Sequence, residues 1–324
     1  MGAPSALRDE SVTIFGDWGT SRLRLYLRQG KSVLDRRDGP GIGALTASPR
    51  DTFLDLVGDW REARPSLALL CGMVGSRNGW VEAPYAPCPA GVADLRARLL
   101  HLDADGLPVA IVPGLSCRNA LGGPDVMRGE ETQILGALAL NPDLAKGRHL
   151  LALPGTHTKW VVIEDGAITS FLTAPVGEIY ALLREHSILA KAAPGAAPGD
   201  AESAEGLAAG FTRGLSRIVE HGAAALPHLI FETRSRQLLD GLAKDEAMGF
   251  LSGLLIGGDT ATTSSWFGNL GQVSLIGAPA LSAFYAQAIA AHGGSRLSVD
   301  GDAAVLAGLT TLSPTQNTGV HVLA

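Results

Sequence analysis

The sequence predicts an α/β protein built from two mixed-sheet domains that face a common cleft. Three observations predict it. The chain is long enough for two domains, one strand-turn-hairpin unit occurs twice, and each copy is followed by helices and strands in alternation. Its 324 residues are 46% hydrophobic and 18% charged, enough apolar material for two filled cores.

The first copy begins at Val12. Val12, Ile14 and Phe15 make a β-rich run that breaks at Gly16-Asp17-Trp18-Gly19-Thr20-Ser21. Leu23, Leu25 and Leu27 then alternate with Arg22, Arg24, Tyr26 and Arg28, the period-two pattern of a half-buried strand. Gln29-Gly30 signals a turn, and Ser32-Val33-Leu34 opens a third strand. The second copy runs Leu150–Leu153, then Pro154-Gly155-Thr156-His157-Thr158, then the strand Trp160–Ile163. Asp165-Gly166 is its hairpin signal, and Ile168–Leu172 follows. Gly19 and Gly155 lie 136 residues apart, and Gly30 and Gly166 share that offset, as a duplication requires.

After the first unit, helices are expected at Pro49–Arg64, Val92–His101 and Glu130–Leu140, with buried strands at Leu67–Cys71 and Val109–Val112. After the second, helices are expected at Glu178–Ala190, Ala201–Glu220, Lys244–Trp266, Ala280–His292 and Ala303–Leu312. Strands at Val273–Ile276 and Arg296–Val299 separate the later ones, and Pro194–Asp200 is a linker-like loop. The domains therefore divide as 1–144 and 145–324.

Composition excludes several function classes. A formal net charge of −6 supplies no broad basic surface for nucleic acid. No apolar run approaches the roughly 18 residues of a membrane span. The polar Met1–Glu10 lacks a signal-peptide core, so a cytoplasmic protein is expected. Cys71, Cys88 and Cys117 form no CxxC pair and leave an odd thiol, which fits a reducing compartment and not a zinc or disulfide framework.

The turns suit phosphate. Gly19 lets backbone N–H groups approach an anion, and Thr20 and Ser21 add hydroxyl donors. Asp17 at a strand end could anchor Mg²⁺, which takes one or two carboxylates together with waters and phosphate oxygens. Gly155, Thr156, His157, Thr158 and Lys159 offer a second such turn, although His157 could equally be a structural cap. Asp17 aligns with Leu153, so the metal belongs to the N-terminal side. The plain alternative is a pair of tight hairpins with polar tips.

In Asp125–Thr132, helical spacing puts Met127 and Glu131 on the face of Ile134, Leu135 and Leu138, with Glu130 on its flank. A buried carboxylate needs a partner or a task, and taking a proton from an alcohol during phosphoryl transfer is such a task. The alternative is an acid placed for the helix dipole. At Gly277-Ala278 a small-residue turn could let a purine pass, and the small residues of Gly249–Gly258 allow close approach; helix packing explains both equally well.

Asp17-Trp18-Gly19-Thr20-Ser21 and the second Gly-Thr turn resemble the two phosphate loops of the actin-like ATPase and sugar kinase superfamily. Gly72–Ser76, Ala83–Tyr85, Val126–Gln133, Leu153–Val161, Phe250–Gly257 and Gly301–Ala304 narrow the resemblance to the 2-dehydro-3-deoxygalactonokinase family, over about Thr13 to Leu312. The resemblance implies two actin-like (ribonuclease H-like) domains, with the last helix returning to the first. It also implies phosphorylation of the 6-hydroxyl of a 2-keto-3-deoxy sugar acid, with ATP and Mg²⁺. Carried over, Asp17 would hold the metal, while Gly19, Thr20, Ser21, Gly155, Thr156 and Lys159 would hold phosphate. Gly277 and Ala278 would meet adenosine. A likeness to the acid motif of exopolyphosphatases favours Glu131 over Glu130 as base.

For the sugar acid, Ser76, Arg77, Asn78, Trp80 and Tyr85 form a polar loop, and Glu178 and His186 match a second segment. Arg77 stands where a smaller polar residue is expected, and Ala174-Pro175-Val176-Gly177 replaces a Met-Thr-Gly pattern. The rival functions are a kinase for an epimeric acid, a polyphosphatase-like phosphohydrolase, and a nucleotide-gated regulator.

Overall fold

The computed structural model describes residues 11–191 and 203–314. Met1–Glu10, the Pro194–Asp200 loop and the first two residues of the helix expected from Ala201 lie outside them. The first half runs β1 (Val12–Trp18), β2 (Arg22–Gln29), β3 (Ser32–Pro40), α1 (Pro49–Val57), β4 (Ala68–Gly72), β5 (Ala86–Pro87) and α2 (Val92–Arg96). It continues through β6 (Leu100–Ala104), β7 (Leu107–Ile111), β8 (Leu115–Arg118), β9 (Pro124–Met127) and α3 (Glu130–Leu140). The second half runs β10 (Arg148–Leu153), β11 (Thr158–Glu164), β12 (Ala167–Ala174), α4 (Val176–His186), α5 (Ala204–His221) and α6 (Leu226–Leu239). It ends with α7 (Lys244–Phe267), β13 (Gln272–Gly277), α8 (Pro279–Ala291), β14 (Ser295–Asp300) and α9 (Gly301–Leu312).

The two main sheets repeat one plan. The first is ordered β3-β2-β1-β4-β7-β6 and the second β12-β11-β10-β13-β14. In each, an antiparallel three-strand meander continues into two parallel strands. The 136-residue offset is therefore a structural duplication, and the expected two-sheet α/β architecture is the one observed. A single apolar cluster joins the sheets: Phe15, Leu69 and Ala110 share it with Leu151, Val161 and Phe171. Also in it are Ile134 and Leu138 of α3 and Val305 and Leu309 of α9.

Several elements differ from expectation. The helix from Pro49 stops at Val57, and a 3₁₀ turn, Asp59–Ala63, takes its place until Arg64 turns left-handed at φ 50°. The helix expected over Val92–His101 ends at Arg96. Leu100–Ala104 is an edge strand on β7 instead, because Asp105-Gly106, both at positive φ, closes a hairpin. The helix expected to Ala190 ends at His186, and Ile188–Ala190 forms a 3₁₀ turn. The helix α6 and a third sheet, ordered β5-β8-β9, were not expected at all.

Candidate functional site

The first turn joins β1 to β2. Gly19 N–H donates to the Arg22 carbonyl at 2.9 Å, and Ile42 and Gly43 N–H donate to the carbonyls of Gly19 and Thr20. Gly41 allows this closeness, since a methyl there would meet the Thr20 carbonyl at 2.3 Å. Thr20 and Ser21 remain exposed, with their hydroxyls open to a ligand. Asp17, just before the turn, is engaged: its Oδ2 accepts from Arg24 Nη2 at 2.5 Å, and Cys71 Sγ lies 3.9 Å from its Oδ1. Arg24 also pairs with Asp302 at the start of α9. Burial pushes the Asp17 carboxyl up, and the Arg24 guanidinium opposes that shift.

The second turn joins β10 to β11 and leans on the first turn of α4. A methyl on Gly177 would meet the Gly155 carbonyl at 2.5 Å, and Glu178 N–H donates to the Thr156 carbonyl at 3.0 Å. Thr156 and His157 are exposed, and His157 Nε2 lies 2.7 Å from Glu178 Oε2. Glu178 therefore packs with this turn. Thr158 is buried, its hydroxyl 2.6 Å from that of Tyr285, which in turn donates to Asp259 at 3.3 Å. Trp160 Nε1 donates to the same Asp259 oxygen at 3.0 Å, and burial pushes this carboxyl up to about 6.

Lys159, the cation of the second turn, is buried. Its side chain is 4% exposed, and Nζ pairs with Glu130 Oε1 at 3.1 Å. Nζ also donates to the His157 carbonyl at 3.1 Å, so the ammonium group stays at the second turn while it joins that hairpin to the start of α3. Glu130 Oε2 accepts from Arg128 N–H at 3.1 Å. Glu131 has no exposed surface; its Oε2 accepts from Gly129 N–H at 2.7 Å and its Oε1 from the Thr132 hydroxyl at 3.1 Å. Burial first, and the neighbouring Glu130 second, push the Glu131 carboxyl up to about 8. Gly129, at φ 105°, brings this turn against Gly72 at the end of β4. Burial, and after it the charges of Asp17 and Glu131, push the Cys71 thiol up. Both halves of the chain thus contribute charged groups around the ends of β1, β4 and β11.

The expected sugar loop divides. The Ser76 hydroxyl donates back to the Met73 carbonyl at 2.7 Å, Asn78 is exposed, and Arg77 is 85% exposed with Glu82 3.6 Å away. Trp80 turns inward against Phe53, ring centroids 5.5 Å apart, so it serves the core of the first half. Tyr85 instead lies under the guanidinium of Arg128, 4.5 Å from its ring centroid. His186, at the far end of α4, pairs only with Glu185 among the described residues, at 3.7 Å.

Gly277-Ala278 links β13 to α8, 3.5 Å from the Pro154 carbonyl as judged from a methyl placed on Gly277. Close packing explains the glycines of α7: methyls on Gly249 and Gly253 would meet the carbonyls of Leu207 and Phe211 on α5 at 2.1 and 2.2 Å. Gly249 also borders an apolar cavity of about 190 Å³ beside the second turn. Gly155, Gly177, Tyr180, Leu255, Phe284 and Tyr285 line it, a largely apolar wall. Arg24, Arg128, Asp259 and the aromatic lining are additions to the expected site. Arg128 alone lay inside a quoted motif; the others carry no local signal.

Together the duplicated sheets, the paired Gly-Thr turns and the adjoining cavity define an actin-like α/β protein with a candidate nucleotide cleft. A family profile described as 2-keto-3-deoxy-galactonokinase matches residues 17–312. A Rhizobium meliloti (strain 1021) protein named "Probable 2-dehydro-3-deoxygalactonokinase DgoK1" is 37% identical, covering 91% of this chain and 94% of its own. The 2-dehydro-3-deoxygalactonokinase of Escherichia coli (strain K12) is 36% identical, covering 92% and 96%. A crystal structure from Sinorhizobium meliloti, of a protein assigned as a 2-dehydro-3-deoxygalactonokinase, superposes with a TM-score of 0.79 at 37% identity, covering 93% and 97%. The chain belongs to the 2-keto-3-deoxy-galactonokinase family.

Proposed function

We propose that this protein is an ATP-dependent kinase that phosphorylates the 6-hydroxyl of 2-dehydro-3-deoxy-galactonate, with residues 1–144 and 145–324 as its two lobes. Family membership supports the activity. One structural observation carries the site: the Glu130–Glu131 pair opening α3 meets Lys159, from the hairpin after the second Gly-Thr turn, at 3.1 Å. An acid suited to an alcohol and a turn suited to phosphate thereby converge from opposite halves.

We assign the base to Glu131. Burial raises its carboxyl to about 8, so its ionised form, which predominates above that pH, takes a proton from an alcohol more readily than an ordinary glutamate does. As the acceptor O–H bond breaks, the proton passes to Glu131. The new O–P bond forms at the γ-phosphorus, and the electron pair of the broken P–O bond leaves on ADP. Glu130 is assigned the task of holding Lys159. Gly19, Thr20, Ser21, Gly155 and Thr156 are assigned to the phosphates. The cavity beside Gly155 and Tyr285 is assigned to adenine, and the Gly277-Ala278 turn, outside its lining, to the rest of adenosine.

Among the described residues no cluster of three or more His, Cys, Asp or Glu side chains could hold a metal alone. Mg²⁺ is commonly held by one or two carboxylates with waters and nucleotide phosphate oxygens. Asp17 would be its protein carboxylate by exchanging the Arg24 pair for the metal, and the charge supplied would offset that developing on the transferred phosphoryl group. Among the same residues, no helix is long and apolar enough to cross a membrane.

The test is ADP release with a panel of 2-keto-3-deoxy sugar acids. Release with the galacto-configured acid well above its epimers is expected. No release above the sugar-free background with any acid would sink the kinase assignment.

A further inference from the structure

Among the described residues, Arg128 has two buried guanidinium nitrogens without a partner. Its Nη2 donates to the Ala83 carbonyl at 2.7 Å, and its guanidinium stacks on Tyr85. Its Nε and Nη1 are shielded from solvent and have no acceptor, and no ion pair to it forms among the described residues. Leaving donors of a shielded cation unmatched is costly, because they lose water without gaining a partner. The surroundings are nonetheless arranged to admit it. A methyl on Gly75 would lie 2.9 Å from Nη1, and one on Gly114 would meet the Tyr85 ring at 2.7 Å, so two glycines make room for the stacked pair. The same residue donates its backbone N–H to Glu130, the sequence neighbour of the proposed proton acceptor Glu131. Arg77, the arginine expected to serve the sugar loop, points to solvent with Glu82.

We propose that Arg128 recognises the carboxylate of the acceptor acid, as the residue that makes this site specific for a sugar acid over a neutral sugar. The inference rests on the kinase reading above. Guanidinium presents paired N–H donors in a plane that matches a carboxylate, and Nη2, which gives one hydrogen to Ala83, keeps its second to form a fork with Nε or with Nη1. Tyr85, 40% exposed, is the ring that must yield as the acid enters. The carboxylate at one end of the six-carbon chain would then be held by Arg128. The hydroxyl at the other end would be presented to the pair that begins two residues later in sequence.

The test compares the acid with its neutral carboxamide in wild-type, Arg128→Gln and Arg128→Lys proteins. Arg128→Gln should raise KM for the acid roughly 30- to 1000-fold, as loss of a charge-assisted pair predicts, and leave KM for ATP unchanged. Its preference for acid over amide should disappear. Arg128→Lys keeps the charge and can still reach the Ala83 carbonyl, but it lacks the fork. Its acid-over-amide ratio should fall on the order of 10-fold, and it supplies the readout should the Gln variant not fold. An acid-over-amide ratio unchanged in the folded variants would overturn the assignment. Wild-type protein that phosphorylates no acid at all would instead overturn the kinase reading.

Discussion

At the scale of single residues, Glu131 combines two properties that pull apart. Its carboxyl titrates near 8 in the folded protein and near 4.5 when free, because burial disfavours the charged form. Between those values the folded state binds more protons than the unfolded one, so stability falls as pH rises from about 4.5 to about 8 and levels above that. Asp259, raised to about 6, adds the same trend over a lower window. Glu131→Gln removes the cost of charging, so the variant should gain melting temperature over wild type, and the gain should grow between pH 5 and pH 8. The same change should lower kcat roughly 10²- to 10⁴-fold with nucleotide binding retained. Wild-type kcat should rise with pH through about 8 as Glu131 gives up its proton. Glu130→Gln should reproduce neither the stability trend nor the full loss. If Glu130→Gln is the more damaging variant, the base is Glu130. The burial of Glu131 was legible from spacing alone, since it falls on the face of Ile134, Leu135 and Leu138. The pairing of Lys159 with Glu130 was not, because nothing local relates positions on two different hairpins and helices.

At the scale of elements, close helix contact does much of the positioning. The helices α5 and α7 cross through Gly210, Gly214, Gly249 and Gly253, where backbone of one helix fills the place of a side chain on the other. The helices α3 and α9 cross likewise at Gly136 and Gly308, with methyl-to-carbonyl distances of 1.8 and 1.9 Å. That second crossing carries Glu130 and Glu131 on one helix and Asp302, the partner of Arg24, on the other. Gly253→Ala should destabilise the protein by about 1–3 kcal/mol in chemical denaturation, although alanine favours the helix by roughly 1 kcal/mol. The rigid Phe211 carbonyl cannot give way. Gly257→Ala should cost much less, since its first contact, at 3.0 Å, is the flexible end of Leu215. Equal losses at the two positions would show that the crossing is looser than described. Small residues in α7 were plain in the sequence, but whether they met a ligand or a helix was not, because the partner glycines lie some forty positions earlier. Leu100–Ala104 was missed for a related reason: its turn signal, Asp105-Gly106, follows an apolar spacing that a helix would also satisfy.

At the scale of the whole molecule, the duplicated plan could be read from two pairs of glycines, whereas the joint between the copies could not. The joint depends on pairings between distant parts of the chain. Ala90 and Ile168 exchange backbone hydrogen bonds at 2.9 and 3.0 Å. Asp125, on β9 of the unexpected third sheet, accepts from Thr173 N–H at 2.9 Å and from its hydroxyl at 2.7 Å. The guanidinium of Arg28 donates to Thr310 at 2.6 Å, and Arg96 donates to the Thr311 carbonyl, fastening α9 to the first half. With the shared apolar cluster beneath them, these contacts should make the halves unfold together. Denaturant titrations read by tryptophan fluorescence, with buried Trp18 and Trp60 in the first half and Trp160 in the second, should coincide with the loss of far-ultraviolet ellipticity. Asp125→Ala should lower stability by about 1–3 kcal/mol, since it leaves the Thr173 donors unmatched, while keeping one transition. Two separated transitions in the wild-type protein would mean that the core divides between the sheets, and that the cleft is a hinge between independent domains.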